Sequence, residues 1–122
     1  MKNYDRALDI LSEVTMLDKA HTKALLLIGD IKLLTEGSEQ EALEAYDRAI
    51  LSSPDCTQAY GSKAYVLDIL GRYDEAFENC EKAFEYVNRE DNAQLSSLYD
   101  QKISLLCSIA KISLIGRLRG DN

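Results

Sequence analysis

The sequence predicts an all-α fold, an α-solenoid of antiparallel helix pairs that ends in one long helix. A small residue, a bulky residue and a second small residue, four and then three positions apart, occur three times at intervals of 35 and 34 residues. This spacing places all three residues on one face of an α-helix. Residues 92–115 contain neither glycine nor proline, so nothing in that segment makes a turn. The length of 122 residues corresponds to about three and a half units of such a repeat in a single domain.

The three copies of the motif occupy residues 4–14, 39–49 and 73–83. When the three copies are aligned, three positions recur, which we call columns. The first small column is Ala7, Ala42 and Ala76, the bulky column is Leu11, Tyr46 and Cys80, and the second small column is Val14, Ala49 and Ala83. The small columns allow a neighbouring helix to approach closely, and the bulky column fills the space between. Charged residues take the opposite face, so each copy is an amphipathic helix that needs a partner.

The second and third copies each follow another helical pattern, at residues 22–35 and 57–70. Gly37 and Gly71 fall in the turns between the paired helices, where a left-handed residue ends the first helix of each pair. The predicted units are therefore a half repeat at 1–21 with only its second helix, and full repeats at 22–56 and 57–90. Because the chain enters in the middle of a repeat, we expect a fragment or a degenerate array, the alternative being a naturally truncated one.

These residues resemble the tetratricopeptide repeat family, whose 34-residue pattern is W-x2-L-G-x2-Y, then A-x3-F, then P. The second unit fills the pattern with Leu25, Ile28-Gly29, Ala42, Tyr46, Ala49 and Pro54. The third unit fills it with Tyr60, Ala64, Leu67, Gly71, Tyr73, Ala76, Cys80 and Ala83. Lys32, Lys63 and Asn88 depart from it. The resemblance implies a right-handed superhelix in which the first helix of each pair lines a concave groove that binds extended or helical peptides.

The groove residues that the resemblance implies come from three helices. They are Lys23, Leu26, Asp30, Leu33, Gln58, Gly61, Tyr65, Asp68, Asn92, Leu95, Tyr99 and Lys102. One subfamily clamps the C-terminal carboxylate of chaperone tails with basic residues and asparagine at such places, and here the corresponding side chains are neutral or acidic. We therefore expect no chaperone tail but a peptide with apolar anchors and a basic residue, held by Tyr65 and Tyr99. The alternative is that both tyrosines simply pack between helices.

The last predicted helix, residues 91–116, has two different halves and precedes a tail at 117–122. The first half resembles a cap over the last repeat. The second half is apolar around most of its circumference, which favours self-association as a homo-oligomer or contact with an absent repeat. The predicted self-association residues are Leu105, Leu106, Ile109, Ile112, Leu114 and Ile115.

Charge is distributed unevenly along the chain. Residues 101–120 hold four basic residues and no acid, whereas the remainder holds ten bases and 21 acids, a net charge of −11. The acidic body should repel nucleic acid and either attracts basic partners or serves as a solvated surface. No nucleic acid partner is predicted.

Catalytic and membrane patterns are missing from the sequence. The single histidine, His21, lies in a predicted turn, and we find no activated nucleophile, metal-ligand spacing or phosphate-binding loop. No catalytic residue, cofactor or metal is predicted. The N-terminus does not read as a secretory signal, the apolar segment 104–115 is too short to span a bilayer, and the odd number of cysteines favours reduced thiols. We expect a cytoplasmic protein without a membrane partner.

The sequence thus predicts a protein–protein interaction module that binds a peptide or protein in its groove or through the apolar C-terminal helix, without intrinsic catalysis. Two alternatives remain open at this stage. The chain is a structural segment of a larger solenoid, or it is a regulatory domain of a longer protein.

Overall fold

The computed structural model describes residues 2–120, and within them it contains α-helices and no strand. The helices are α1 (Lys2–Leu17), α2 (Thr22–Glu36), α3 (Glu39–Ser52), α4 (Thr57–Ile69), α5 (Tyr73–Tyr86) and α6 (Asn92–Leu118). Each helix packs against the next one in the chain, most extensively within the pairs α2–α3 and α4–α5, and α6 also contacts α4. The predicted all-α architecture with a long last helix is confirmed.

The two turns inside the helix pairs use glycine for its backbone freedom. Gly37 has φ +59° and Gly71 has φ +76°, in the left-handed region that side chains with a Cβ rarely adopt. After Gly71, the backbone N–H of Arg72 donates a hydrogen bond to the carbonyl of Leu67 at 2.9 Å. This bond satisfies a carbonyl that the end of α4 would otherwise leave unpaired.

Two helix N-termini are capped by side chains. Nδ1 of His21 accepts a hydrogen bond from the N–H of Ala24 at 3.1 Å, at the start of α2. At the start of α6, Oδ1 of Asp91 accepts one from the N–H of Gln94 at 3.0 Å. The histidine therefore has a structural use in the turn, which is where the sequence placed it.

The repeated columns form the centre of the core. In α3 and α5 all three columns are at most 1% exposed, Cys80 among them. In α1 the same columns, Ala7, Leu11 and Val14, are only partly buried. The difference arises because α3 lies between α2 and α4, and α5 between α4 and α6, whereas α1 packs mainly on α2.

Within the pair α2–α3, Gly29 lies against the ring of Tyr46. A Cβ atom at position 29 would lie 2.6 Å from Cε1 of Tyr46, too close for any real contact. Glycine is therefore what allows the tyrosine ring to lie so close to α2. The buried ring in turn brings its hydroxyl to Asp30.

The long helix α6 is anchored only in its first half. Its buried residues are Leu98 and Leu105, two turns apart on one face, and α6 is 27 residues long against 14 in α5. Leu105, predicted as a self-association residue, is instead fully buried in the core. The helix also continues beyond the predicted boundary at 116, so Arg117 is helical, while Asp121 and Asn122 of the predicted tail lie outside the described residues. No described helix combines the length and hydropathy that a bilayer span requires.

Candidate peptide-binding groove

Helices α2, α4 and α6 line a concave groove with a volume of about 670 Å³, and Tyr46 of α3 contributes to its floor. The apolar part of the lining is formed by Leu33, Leu34, Tyr65 and Leu98. The polar part comprises serine, threonine, glutamine and aspartate side chains. An apolar surface with a few converging polar groups is the usual composition of a ligand site.

The floor of the groove is organised by the hydroxyl of Tyr46. This hydroxyl donates a hydrogen bond of 2.5 Å to Oδ1 of Asp30. Burial of the ring, followed by the hydrogen bond to Asp30 and the charge of its carboxylate, raises the pKa of Tyr46 above its usual value. The tyrosine therefore stays protonated, and the Asp30 carboxylate is held at a fixed place on the groove surface.

A direct hydrogen bond joins two walls of the groove. Nε2 of Gln101 in α6 donates to the carbonyl of Gly61 in α4 at 2.8 Å. The bond crosses between helices that make few other contacts, so it fixes the distance between these walls.

The charge of the groove is of one sign. Three aspartates line it, namely Asp30, Asp68 and Asp100, and none of the described lining residues is lysine or arginine. Within the described residues, no ion pair neutralises these carboxylates. The groove therefore presents a negative potential next to apolar side chains.

The structure places half of the predicted groove residues along this surface. They are Asp30, Leu33, Gln58, Gly61, Tyr65 and Asp68, all from α2 and α4. Tyr65 is 54% exposed, so its ring is available for contact. Helix α4 thus presents all four of its predicted residues to the groove, and α2 presents two of its four.

The remaining predicted groove residues lie elsewhere. Leu26 is buried in the core, and Lys23 and Asn92 are exposed outside the groove lining. For α6 the prediction is wrong about which face of the helix lines the groove. The predicted residues Leu95, Tyr99 and Lys102 are not part of the lining, and another face of α6 takes their place.

The cause of this difference is a contact between α6 and α5. The ring of Tyr99 packs on Phe84 with centroids 4.9 Å apart. Lys102 lies 5.2 Å from the centroid of the same ring and pairs with Glu81 at 2.7 Å. Leu95 packs against the core. Aromatic and charged partners on α5 therefore determine which side of α6 faces it.

The groove also contains residues that the sequence analysis missed. They are Leu34, Tyr46, Thr57, Ser62, Gln94, Ser97, Leu98, Asp100, Gln101 and Ser104. Those from α6 are mostly spaced three or four residues apart around Leu98, so its burial defines the face. The signal that could have found them is the polar stripe of glutamine and serine at this spacing.

A second exposed surface lies on the part of α6 beyond Leu105. Leu106, Ile112, Leu114 and Ile115 are 46–56% exposed, whereas Ile109 is partly buried. Of the predicted self-association set, these four residues remain available for contact. We call them the α6 apolar surface.

Among the side chains that the structure describes, no cluster of three histidine, cysteine or carboxylate groups is suited to a metal ion. The three cysteines are free thiols, of which Cys80 is buried and Cys107 exposed. Burial raises the pKa of the Cys80 thiol, which disfavours its reactive thiolate form.

Comparison with known proteins gives the same fold. Residues 57–86, which are α4 and α5, match the family model described as tetratricopeptide repeat. The crystal structure of the Sgt2 TPR domain from Aspergillus fumigatus is 19% identical, with a TM-score of 0.78 over 92% of this chain and 72% of that one. Two crystal structures of MamA are 20% identical, with TM-scores of 0.64 and 0.66 over 90% and 96% of this chain and 71% and 66% of theirs. The resemblance found in the sequence is confirmed, and at these identities the solved structures show the fold alone.

Proposed function

We propose, from the premise that residues 57–86 are a tetratricopeptide repeat in a chain with the fold of such domains, that this protein is a protein–protein interaction module. Its ligand is a peptide segment with at least one lysine or arginine flanked by apolar side chains. The observation that carries this proposal is the groove lined by three aspartates and by exposed apolar residues, without a basic side chain among its described lining.

The residues that line the groove suit both the basic side chain and the apolar side chains of this ligand. Asp30 and Asp68 are partly buried, so hydrogen bonds from a cationic group to their carboxylates would be weakly screened by water. Tyr65 and Leu34 are 54% and 72% exposed and offer apolar surface beside those carboxylates. The carboxylate of a chaperone tail would meet repulsion in this groove, so we propose that such tails are not ligands.

The proposed function includes no chemical step and no cofactor. The one histidine of the chain has its Nδ1 occupied in capping α2, outside the groove. None of the described residues that line the groove is histidine, cysteine, lysine or arginine, so the groove aspartates have no such partner with which to form a catalytic set. We also propose a cytoplasmic location, which the three free thiols favour.

The test is selection of ligands from a library of random peptides, followed by affinity measurement on the selected peptides. We expect enrichment of lysine or arginine next to apolar residues. Asp68→Asn should weaken binding about tenfold or more, since a charge-assisted hydrogen bond contributes about 1.5–3 kcal/mol. Tyr65→Ala should weaken it by a similar factor, because it removes an aromatic anchor of the ligand. Asp55→Asn is the matched control, because this aspartate is exposed and lies outside the groove. Selected peptides without basic residues, or equal effects of Asp68→Asn and Asp55→Asn, would contradict the proposal.

Association through the α6 apolar surface is a second candidate. It is favoured by four large apolar side chains that are all close to half exposed on one segment of helix. Burying a leucine or isoleucine side chain contributes about 1.5–3 kcal/mol, so covering several of them would be favourable.

A further inference from the structure

Helix α1 has an open face at positions that are buried in the equivalent helix α3. Ile10 is 61% exposed, whereas its counterpart one repeat later, Ala45, is 6% exposed. Leu11 is partly buried, whereas its counterpart Tyr46 is 1% exposed. Compared with α3, helix α1 thus leaves one surface exposed, and this surface is of the size that a neighbouring helix covers.

In α3 the corresponding surface is covered by α2. The contact centres on Gly29, which allows the ring of Tyr46 to approach the backbone of α2. Around this glycine α2 has the pattern Leu25-x2-Ile28-Gly29-x2-Lys32, in which a basic residue stands in the column that is usually aromatic. Lys32 pairs with Glu41 of α3 at 3.3 Å.

The second half of α6 repeats this pattern. It reads Ile112-x2-Ile115-Gly116-x2-Arg119, with the same basic departure at its end, and Leu114-Ile115-Gly116 is identical to residues 27–29 of α2. Ile112 and Ile115 are 51% and 46% exposed and lie beyond Leu105, the last buried residue of the helix. A segment with the sequence of a covering helix is therefore exposed.

The glycine in this segment is costly unless another helix approaches it. Glycine inside a helix is less stable than alanine by about 1 kcal/mol. In α2 this cost is offset because Gly29 lets a neighbouring helix come close. Gly116 gives α6 the same capacity for close approach at the same place in the pattern.

The two surfaces also have opposite charge. Residues 3–18 hold four acids and one base, and residues 106–119 hold three bases and no acid. Attraction between them would favour contact of α6 with α1 over contact of two copies of α6, which carry like charge.

We propose that the second half of α6 of one copy packs on α1 of a second copy, in the position that α2 takes on α3, with Gly116 facing Leu11. The association is head-to-tail and joins α6 of one copy to α1 of the next. It uses neither wall of the groove, so it goes beyond the proposed peptide binding and does not depend on it.

The test is sedimentation equilibrium of the 122-residue chain and of two variants, Ile10→Glu and Ile115→Glu. We expect the unmodified chain to associate and each variant alone to be monomeric, because each loses one side of every junction. A mixture of the two variants should form a 1:1 dimer, since the intact α6 of the first fits the intact α1 of the second. Ser12→Glu and Ala110→Glu are the controls, because both add the same charge at exposed positions whose counterparts, Asp47 and Lys23, are exposed.

Two further variants separate this junction from nonspecific apolar contact. Gly116→Leu adds apolar surface but blocks close approach, so we expect it to abolish association, whereas a nonspecific contact would tighten. Arg6→Glu should tighten association up to about fivefold, because position 6 corresponds to Glu41 and would pair with Arg119 as Glu41 pairs with Lys32.

Three results would overturn the proposal. They are a chain that stays monomeric at every concentration, an Ile10→Glu variant that still associates, and a variant mixture that does not form dimers. The second result would indicate contact between two α6 helices. Peptide binding measured on the same variants should be unchanged, so failure of the junction and failure of the groove are distinguishable.

Discussion

Gly29, Tyr46 and Asp30 form one unit at the scale of single residues. Gly29 leaves room for the ring of Tyr46 next to α2. The hydroxyl of this buried ring donates a hydrogen bond to the carboxylate of Asp30 in the groove. The sequence placed Gly29 and Tyr46 correctly in the repeat pattern. It did not indicate that Tyr46 reaches the groove. The repeat pattern predicts that the side chain at this position is buried, but it does not predict where the hydroxyl group lies.

Substitution of the two helical glycines that face other helices should have opposite effects on stability. We expect Gly29→Ala to destabilise the fold by about 1–2 kcal/mol, because overpacking against the buried Tyr46 ring outweighs the gain in helix propensity. Gly61→Ala should stabilise it by about 0.5–1 kcal/mol, since its Cβ would lie 3.7 Å from Cδ2 of Leu98, an ordinary contact. Urea unfolding measures both, and a stabilised Gly29→Ala variant would refute the close-packing argument.

At the scale of elements, the helices fall into two kinds. In α3 and α5 charged and apolar residues separate cleanly onto two faces, so their buried columns could be predicted. In α2, five consecutive apolar residues from Ala24 to Ile28 cover the whole circumference, so periodicity cannot tell a core face from a groove face. For this reason the sequence pattern of α2 does not reveal that Leu26 lies in the core and not in the groove.

The same reason explains the predicted face of α6. Apolar residues occur all around this helix, and its rotation is decided by partners on α5, which are distant in sequence. Six groove residues of α2 and α4 could therefore be predicted from the sequence, namely Asp30, Leu33, Gln58, Gly61, Tyr65 and Asp68. Those of α6 required the contacts of Tyr99 and Lys102. The repeat ends before α6, so no earlier copy was available to guide the assignment.

Two adjacent leucines of α6 test which face supports the fold. Leu105→Ala should lower the free energy of unfolding by about 2–5 kcal/mol, since Leu105 is fully buried and its truncation leaves a cavity. Leu106→Ala should change it by no more than about 0.5 kcal/mol, as expected for an exposed position. Urea unfolding below the concentration of self-association is the measurement, and similar losses for both variants would show that the assigned rotation of α6 is wrong.

At the scale of the whole molecule, stability is expected to be highest in the middle of the array. Helices α3, α4 and α5 contain most of the core, whereas α1 contains no buried residue among those described. In a stack of repeats each unit is stabilised mainly by its neighbours, so an end with one neighbour opens more easily.

Hydrogen exchange should reveal this gradient. At low protein concentration we expect the amides of α1 and of residues 106–118 to exchange fastest among the helices, and those of α3 to α5 slowest. At concentrations where head-to-tail association occurs, protection should increase in both fast segments together. Mass spectrometry of exchanged peptides measures it, and uniform protection along the chain would contradict a core centred on α3 to α5.

The hydrogen bond between Tyr46 and Asp30 links occupancy of the groove to the fluorescence of a tyrosine. The chain contains no tryptophan, so the emission of its seven tyrosines is not masked. A cationic ligand group that takes Asp30 away from the Tyr46 hydroxyl changes the electronic environment of a ring fixed in the core. Occupancy of the groove would thus register as a spectroscopic signal from the protein itself, without an attached label.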